Sequence, residues 1–492
     1  MNSIIKNTSL VAMAQNISKE TSRWVVLGGI SLALLSPLLF GGAVVGAAEG
    51  RAAKESAPDN TYETRLKNGL RVIVREDRRA PTVVHMLWYR VGSMDEVDGR
   101  SGLAHVLEHM MFKGTPSIPA GEFSKRVAAA GGRDNAFTSR DYTAYFQQIP
   151  NQKLAEMMSL ESDRMRHLTI DAKEFAQELK VVQEERRQRT DDNPDAKLFE
   201  QMNAEAFLAH PYRRPIIGWA GDLRQMKSVD VKSWYDTWYA PNNAYLVVVG
   251  DVEHKRVFRL AARYYGKIKR KKLPERRFSP EPQQEGERRI VVKAPAELPS
   301  IILAYKAPSI KDPTERDPYA LEMLAAVLDG HDAARFNRNL VREQRVALEA
   351  WASYRSMSRG PGMFYLSGTP GAGKTPADLE AALKGEIEKI KTSGVSEAEL
   401  SRARAQLLAS EIYKLDSLFG QAMEIGGAEA TGLHWKKIPQ LIAGLKATSR
   451  AEIQAVARKY FTDDTLTVGV LDPQPLDKKA RKTSDSAKSL RH

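Results

Sequence analysis

The chain has 492 residues, of which 27% are charged, with a formal net charge of +13 and no cysteine. The missing cysteine excludes disulfides, thiolate metal sites and a cysteine nucleophile, while the length allows a large buried core. A basic excess can attract nucleic acid, but no recognition motif accompanies it here, so nucleic-acid binding is not expected.

At the start of the chain, Lys6, Lys19 and Arg23 precede an uncharged run from Trp24 to Ala48, which ends in the small residues Val45-Gly46-Ala47. A basic lead, an apolar run and a small-residue end form the pattern of a secretory signal peptide. The run is also long enough to span a bilayer. Residues 1–48 are therefore expected to be a signal peptide or an N-terminal membrane anchor. Either one places the rest of the chain outside the cytoplasm, which in a bacterium means the periplasm.

The most informative run is His105-Val-Leu-Glu108-His109. Histidines four apart lie on one side of a helix, and such a pair can hold one zinc ion without bending the backbone. Glu108 shares that side, where a carboxylate can take a proton from a zinc-activated water. Leu103, Val106, Leu107, Met110 and Met111 make an apolar stripe on the other side. Residues 101–112 contain no Lys or Arg, so the opposite face is not an ordinary solvated one. The order H-x-x-E-H is an inverted metallopeptidase signature.

Residues 133–149 alternate, are rich in Thr, Tyr and Phe, and follow Gly131-Gly132, which predicts a strand entered from a loop. An exposed strand edge can pair with an extended peptide. An ordinary buried hairpin strand has the same pattern. Residues 172–190 predict a helix, with Asp171 as its cap, Glu174 completing a capping box and Asn193-Pro194 as a stop. A catalytic zinc needs a third protein ligand, and this helix offers Glu174, Glu178, Glu184 and Glu185. Spacing alone does not choose among them.

Farther on, the basic stretch Lys267–Arg289 is poor in apolar residues and predicts a linker, placed at 271–285, between halves at 60–270 and 286–473. Each half mixes β-rich runs with amphipathic helices, as RRIVVKAP, SIILAYKAP and PYALEMLAAVLDG show in the second. The expected fold class is α+β: two similar sandwich halves, each a mixed or antiparallel sheet packed by helices. A basic, disordered tail is expected over 474–492. Gly368-Thr-Pro-Gly-Ala-Gly373-Lys374-Thr375 fits the phosphate-loop pattern and lies between a strand-like and a helix-like run. TLTVGVLD at 465–472 could supply a strand ending in a magnesium-binding Asp. A P-loop nucleotide hydrolase is therefore a rival, although the motif lies late in the chain with little parallel architecture around it.

The chain resembles the insulinase, pitrilysin and mitochondrial processing peptidase family of zinc metallopeptidases. The likeness rests on the 105–109 motif, on Thr61–Asp77 as an opening hairpin turning at Asn68-Gly69, on Gly131–Thr138 followed by DYTAYFQQIP, and on HPYRRPIIGW (210–219) and WYAPNNAYLVVVGD (238–251). It covers roughly residues 60–473. In that family the third ligand is a Glu seventy-six residues beyond the second histidine, in a pattern like E-x-x-x-V-x-x-E, which Glu178–Glu185 matches. The resemblance thus implies one zinc per chain on His105, His109 and Glu185, with Glu108 as the general base and Glu178 as a carboxylate that orients the ligands. It implies substrate contacts at Asn135 and Ala136. Family chambers use four such halves and this chain supplies two, which implies a homodimer or a heterodimer acting on peptides or unfolded protein. The family also places an Arg and, seven residues later, a Tyr against the substrate. Arg342 matches the first, but Glu349 stands at the second. A partner subunit is therefore expected to supply that pair.

Overall fold

The computed structural model describes residues 60–476. The leader or anchor expected over 1–48 and nearly all of the 474–492 tail lie outside the described residues.

One sheet comprises β1 (Thr61–Arg65), β2 (Arg71–Glu76), β3 (Thr82–Tyr89), β4 (Arg133–Thr138), β5 (Thr143–Pro150) and β6 (Ala244–Gly250), in the order β1-β2-β6-β3-β5-β4. Its helices are α1 (Leu103–Met110), α2 (Glu122–Ala129), α3 (Leu154–His167), α4 (Ala172–Arg186), α5 (Pro194–Ala206), α6 (Ala220–Gln225), α7 (Ser228–Trp238) and α8 (His254–Tyr264). The other sheet comprises β7 (Arg288–Pro295), β8 (Ser300–Ala307), β9 (Ala347–Tyr354), β10 (Gly362–Pro370) and β11 (Leu466–Gln474), in the order β7-β11-β8-β10-β9. With it come α9 (Asp317–Asp329), α10 (Pro376–Ser393), α11 (Glu397–Asp416), α12 (Leu418–Ala430), α13 (Ile438–Lys446) and α14 (Arg450–Tyr460). The two sheets repeat one plan. β2 is parallel to β6 as β7 is to β11, and β3, β5 and β4 follow antiparallel as β8, β10 and β9 do. The α+β class expected from the sequence is the one observed.

The near-continuous apolar runs of β3 (TVVHMLWY) and β6 (AYLVVVG) mark strands covered on both faces. Along β3, Val83, Leu87 and Tyr89 join one core with residues of α1, α3, α4, α7 and α8. Val84, Met86 and Trp88 join another with Ala422, Ile425 and Ala428 of α12. The second sheet is treated in the same way: Leu198, Met202 and Ala206 of α5 pack on Val292, Ala294, Ile302 and Ala304. Each sheet thus borrows a helix from the other's stretch of chain. The closest approach is at Gly426, where a Cβ would lie 2.1 Å from Trp88 Cε2, and Tyr245 also donates to Gly426 O at 2.8 Å. Trp88 is fully buried and cannot give way. We expect Gly426→Ala to destabilise the fold by about 1–3 kcal/mol or more, read as a lower urea midpoint with an unchanged slope.

The opening hairpin turns as expected at Asn68-Gly69, with Gly69 at φ +97°. The strand expected over 133–149 is instead two strands, β4 and β5, because residues 139–142 turn back and Ser139 Oγ accepts from the amides of Asp141 and Tyr142. The stretch at 271–285 has no helix or strand but is tied down. Arg276 binds Asp95 at 2.9 Å, and Glu281 accepts the amides of Leu208, Ala209 and His210. Long-range charge pairs of this kind leave no trace in local composition. The segment Gly368–Thr375 is not a phosphate loop. Gly368, Thr369 and Pro370 belong to β10, which is antiparallel to both neighbours, and Thr375 spends its amide and hydroxyl on Asp378 as the cap of α10. The parallel strand behind such a site is not formed there, and the amides of Gly371 and Lys374 are spent on the carbonyls of Val346 and Gly371.

Candidate active site

Two helices bring the predicted ligands together. α1 places His105 and His109 on the face away from its apolar stripe, with ring centroids 4.8 Å apart. α4 is capped by Asp171, whose side chain accepts the amides of Lys173 and Glu174. It presents Glu178 and Glu185 two turns apart, and just beyond Arg186 the backbone widens into a π-helical turn, Arg187–Asp191. Glu185 Oε2 lies 3.3 Å from His109 Nε2 and 3.8 Å from His105 Nε2. Among the described residues, these three are the group whose donor atoms converge on one point, all within 4.8 Å of one another.

The donor set fits a zinc ion. Glu178 Oε1 lies 2.9 Å from His109 Nδ1, so that nitrogen carries the proton and Nε2 is bare in the neutral ring. A bare nitrogen then faces a carboxylate oxygen, and only a cation between them relieves the repulsion. Two imidazoles and a carboxylate are a recognised catalytic zinc set, with a fourth position for water. Without an ion, the proton fills this role: burial opposes the charge on His109, but the bonds to Glu178 and Glu185 outweigh it and lift its pKa to about 9. His105, more deeply buried, is pushed down to about 4 despite the pull of Glu185. Burial raises Glu185, but His109, His105 and Arg189 overcome it and hold the carboxyl below its usual range.

Glu108 sits beside this group. Thr138 Oγ1, at the end of β4, donates to its Oε2 at 2.6 Å. Burial pushes its carboxyl above the usual range, against the Thr138 bond and His109. A raised carboxyl beside a metal position is suited to taking and returning a proton. Three supporting residues were not foreseen in the sequence: Thr138, Lys113, which pairs with Glu178, and Arg189, which pairs with Glu185 Oε1. Lys113 follows His109 by four residues and Arg189 follows Glu185 by four, a spacing that could have flagged both. Thr138 depends on how β4 lies against α1, which local sequence does not reveal.

β4 is the outer strand of its sheet, so Asn135 and Ala136 lie on a strand with a free edge. Asn135 is exposed, and its Oδ1 accepts the Ala136 amide at 2.8 Å. Arg342 is also exposed, on a second π-helical segment, Phe336–Glu343, next to the other sheet. Glu349 lies on that sheet's edge strand, β9, opposite Thr369.

The profile of the insulinase family (peptidase family M16) matches residues 71–219, and that of the peptidase M16 inactive domain matches 227–407. The zinc protease PqqE of Helicobacter pylori is 32% identical over 420 residues, covering 83% of this chain and 92% of its own. The probable mitochondrial-processing peptidase subunit beta of Arabidopsis thaliana is 26% identical over 436 residues, covering 85% of this chain and 79% of its own. A protease of Helicobacter pylori of known crystal structure superposes with a TM-score of 0.80 at 30% identity, over 84% of this chain and 99% of that one. The periplasmic protease PqqL of Escherichia coli shares the fold, with a TM-score of 0.72 at 19% identity, and this chain spans half of it. The paired sheets, the converging His-His-Glu group and these likenesses lead to one conclusion: the chain belongs to the insulinase family, peptidase family M16.

Proposed function

We propose that this chain is a zinc-dependent endopeptidase acting on peptides or unfolded polypeptides, with His105, His109 and Glu185 as ligands of one zinc ion and Glu108 as general base. The observation that carries this reading is the convergence of two imidazole Nε2 atoms on Glu185 Oε2, with Glu108 alongside. The zinc, when bound, supplies Lewis acidity that acidifies water and polarises the scissile carbonyl. Glu108 takes a proton from the attacking water and returns it to the leaving amine nitrogen. Thr138 holds the Glu108 carboxylate, and Glu178 fixes the tautomer and tilt of His109. An extended peptide adds to the free edge of β4 through main-chain hydrogen bonds, displacing the Asn135 side chain from the Ala136 amide.

The same reading makes the chain half of a chamber. Glu349 in place of a Tyr, the exposure of Arg342 and the match of residues 227–407 to an inactive-domain profile support a second chain, identical or different, that completes the substrate face. The basic lead and apolar run at the N-terminus support export to the periplasm, by a cleaved signal or as an anchored form. No helix among the described residues is long and apolar enough to cross a membrane. The test is metal analysis of the purified chain, paired with digestion of an unfolded peptide before and after chelation. One zinc per chain and chelator-sensitive, zinc-restored cleavage are expected. Cleavage unaffected by chelation would overturn the zinc reading, and full activity from the lone chain would remove the need for a partner.

A further inference from the structure

The helix that carries both histidines has no cap of its own. Its N-cap residue is Gly102, at φ +91°, with no side chain to accept a bond. The first amides of a helix lack intrahelical partners, and Gly102, Leu103 and Ala104 are all buried. Glu96, itself 3% exposed, supplies what is missing. Its Oε2 accepts the Gly102 amide at 2.9 Å and its Oε1 the Ala104 amide at 2.8 Å, one residue before His105.

The loop bearing Glu96 is gripped from several sides. Buried Arg214 donates to the carbonyl of Glu96 at 2.5 Å and to Asp98 at 2.8 Å. Asp95 is held by Arg276 at 2.9 Å and by Arg359, from the second sheet's part of the chain, at 2.9 Å. The segment containing Arg214, part of the HPYRRPIIGW run, also reaches the other ligand helix. Arg186, which follows Glu185, donates to Gly218 O at 2.7 Å and pairs with Glu200 at 2.8 Å. Gly218, at φ +90°, lies directly on Gly102: a Cβ there would be 2.7 Å from Gly102 Cα and 2.6 Å from Ser101 O. Direct contacts thus run from Glu96 through Gly102 and Gly218 to Arg186, beside the three metal donors without using any of them.

We propose that Glu96 and Arg186, joined across the Gly102–Gly218 contact, are positioning residues that set how α1 and α4 approach each other, and so how His105, His109 and Glu185 meet a metal ion. The inference rests on the metallopeptidase reading. A residue that merely stabilised the fold would change the melting temperature and leave the metal geometry of folded molecules intact. The test uses the full chain with Glu96→Gln, Glu96→Ala and Arg186→Lys, and Leu383→Ala in the second sheet's core as a destabilised control. The readouts are zinc affinity by chelator competition, the visible spectrum of the cobalt-loaded protein, and thermal unfolding without metal. Zinc binding about tenfold or more weaker, with shifted cobalt bands, is expected in the Glu96 and Arg186 variants, while the control keeps both. Glu96→Gln retains the side-chain volume and one acceptor oxygen, so it decides the matter if Glu96→Ala fails to fold. Zinc affinity within twofold of wild type and an unchanged cobalt spectrum in folded Glu96→Gln and Arg186→Lys would overturn the inference. A wild-type chain that takes up neither metal would overturn the parent reading instead, and this inference with it.

Discussion

Glu108→Gln is expected to keep its zinc and lose peptide hydrolysis by about 10²–10⁴-fold in kcat/KM, the range that a positioned proton-transfer group contributes. The amide oxygen of the glutamine can still accept the Thr138 hydroxyl, which now lies 2.6 Å from the carboxylate, so the local packing survives. What disappears is the capacity to take a proton from water and hand it on. Glu108 is not among the three converging donors, so metal content should not change. The check is parallel metal analysis and steady-state kinetics on one unfolded peptide. Turnover close to wild type would remove Glu108 from the chemistry, and lost metal would make it a ligand.

Glu185→Gln is expected to fail at the earlier step. The carboxylate supplies the negative charge of the donor set, and its Oε2 is the atom both imidazoles face. A neutral amide there is a poorer zinc ligand, and affinity should fall by about 100-fold or more. Activity should then recover in part at high zinc, a pattern that separates this variant from Glu108→Gln. Glu178→Gln serves as an intermediate case. It leaves three donors but loosens the hold on His109 Nδ1, so a loss of about 10–100-fold is expected. Unchanged zinc affinity in Glu185→Gln would move the third ligand to another carboxylate.

What could be read from the sequence follows the range of the forces involved. The histidine helix was legible because its signal is local: an apolar stripe at helical spacing, with no cation on the opposite face. The Asp171 cap was legible for the same reason. Glu185 was reachable only through family spacing, since four carboxylates on α4 meet every local criterion and only the approach of α1 selects one. The split of 133–149 into β4 and β5 was missed because alternation continues through a turn that Ser139 closes with its own side chain. The phosphate-loop motif stood only as a rival, because its letters describe a strand, a turn and a capped helix equally well, and the strand direction that decides against it is not written in them. The largest gap was Glu96. Nothing near it predicts a carboxylate capping a helix six residues away, because the loop that carries it is held by Arg214, more than a hundred residues along the chain.

The exchange of helices between the two sheets has a consequence for how the chain comes to be folded. The face of the first sheet that holds Ile73, Met86 and Trp88 is closed by residues 418–430, so it stays apolar and open until that stretch, some 330 residues beyond Trp88, has been made. Contacts of such sequence separation fold slowly and leave sticky intermediates. Nascent chains of this protein should therefore depend on holdase chaperones through most of their synthesis, and cutting the gene between the two sheets would yield two aggregating fragments in place of two independent domains.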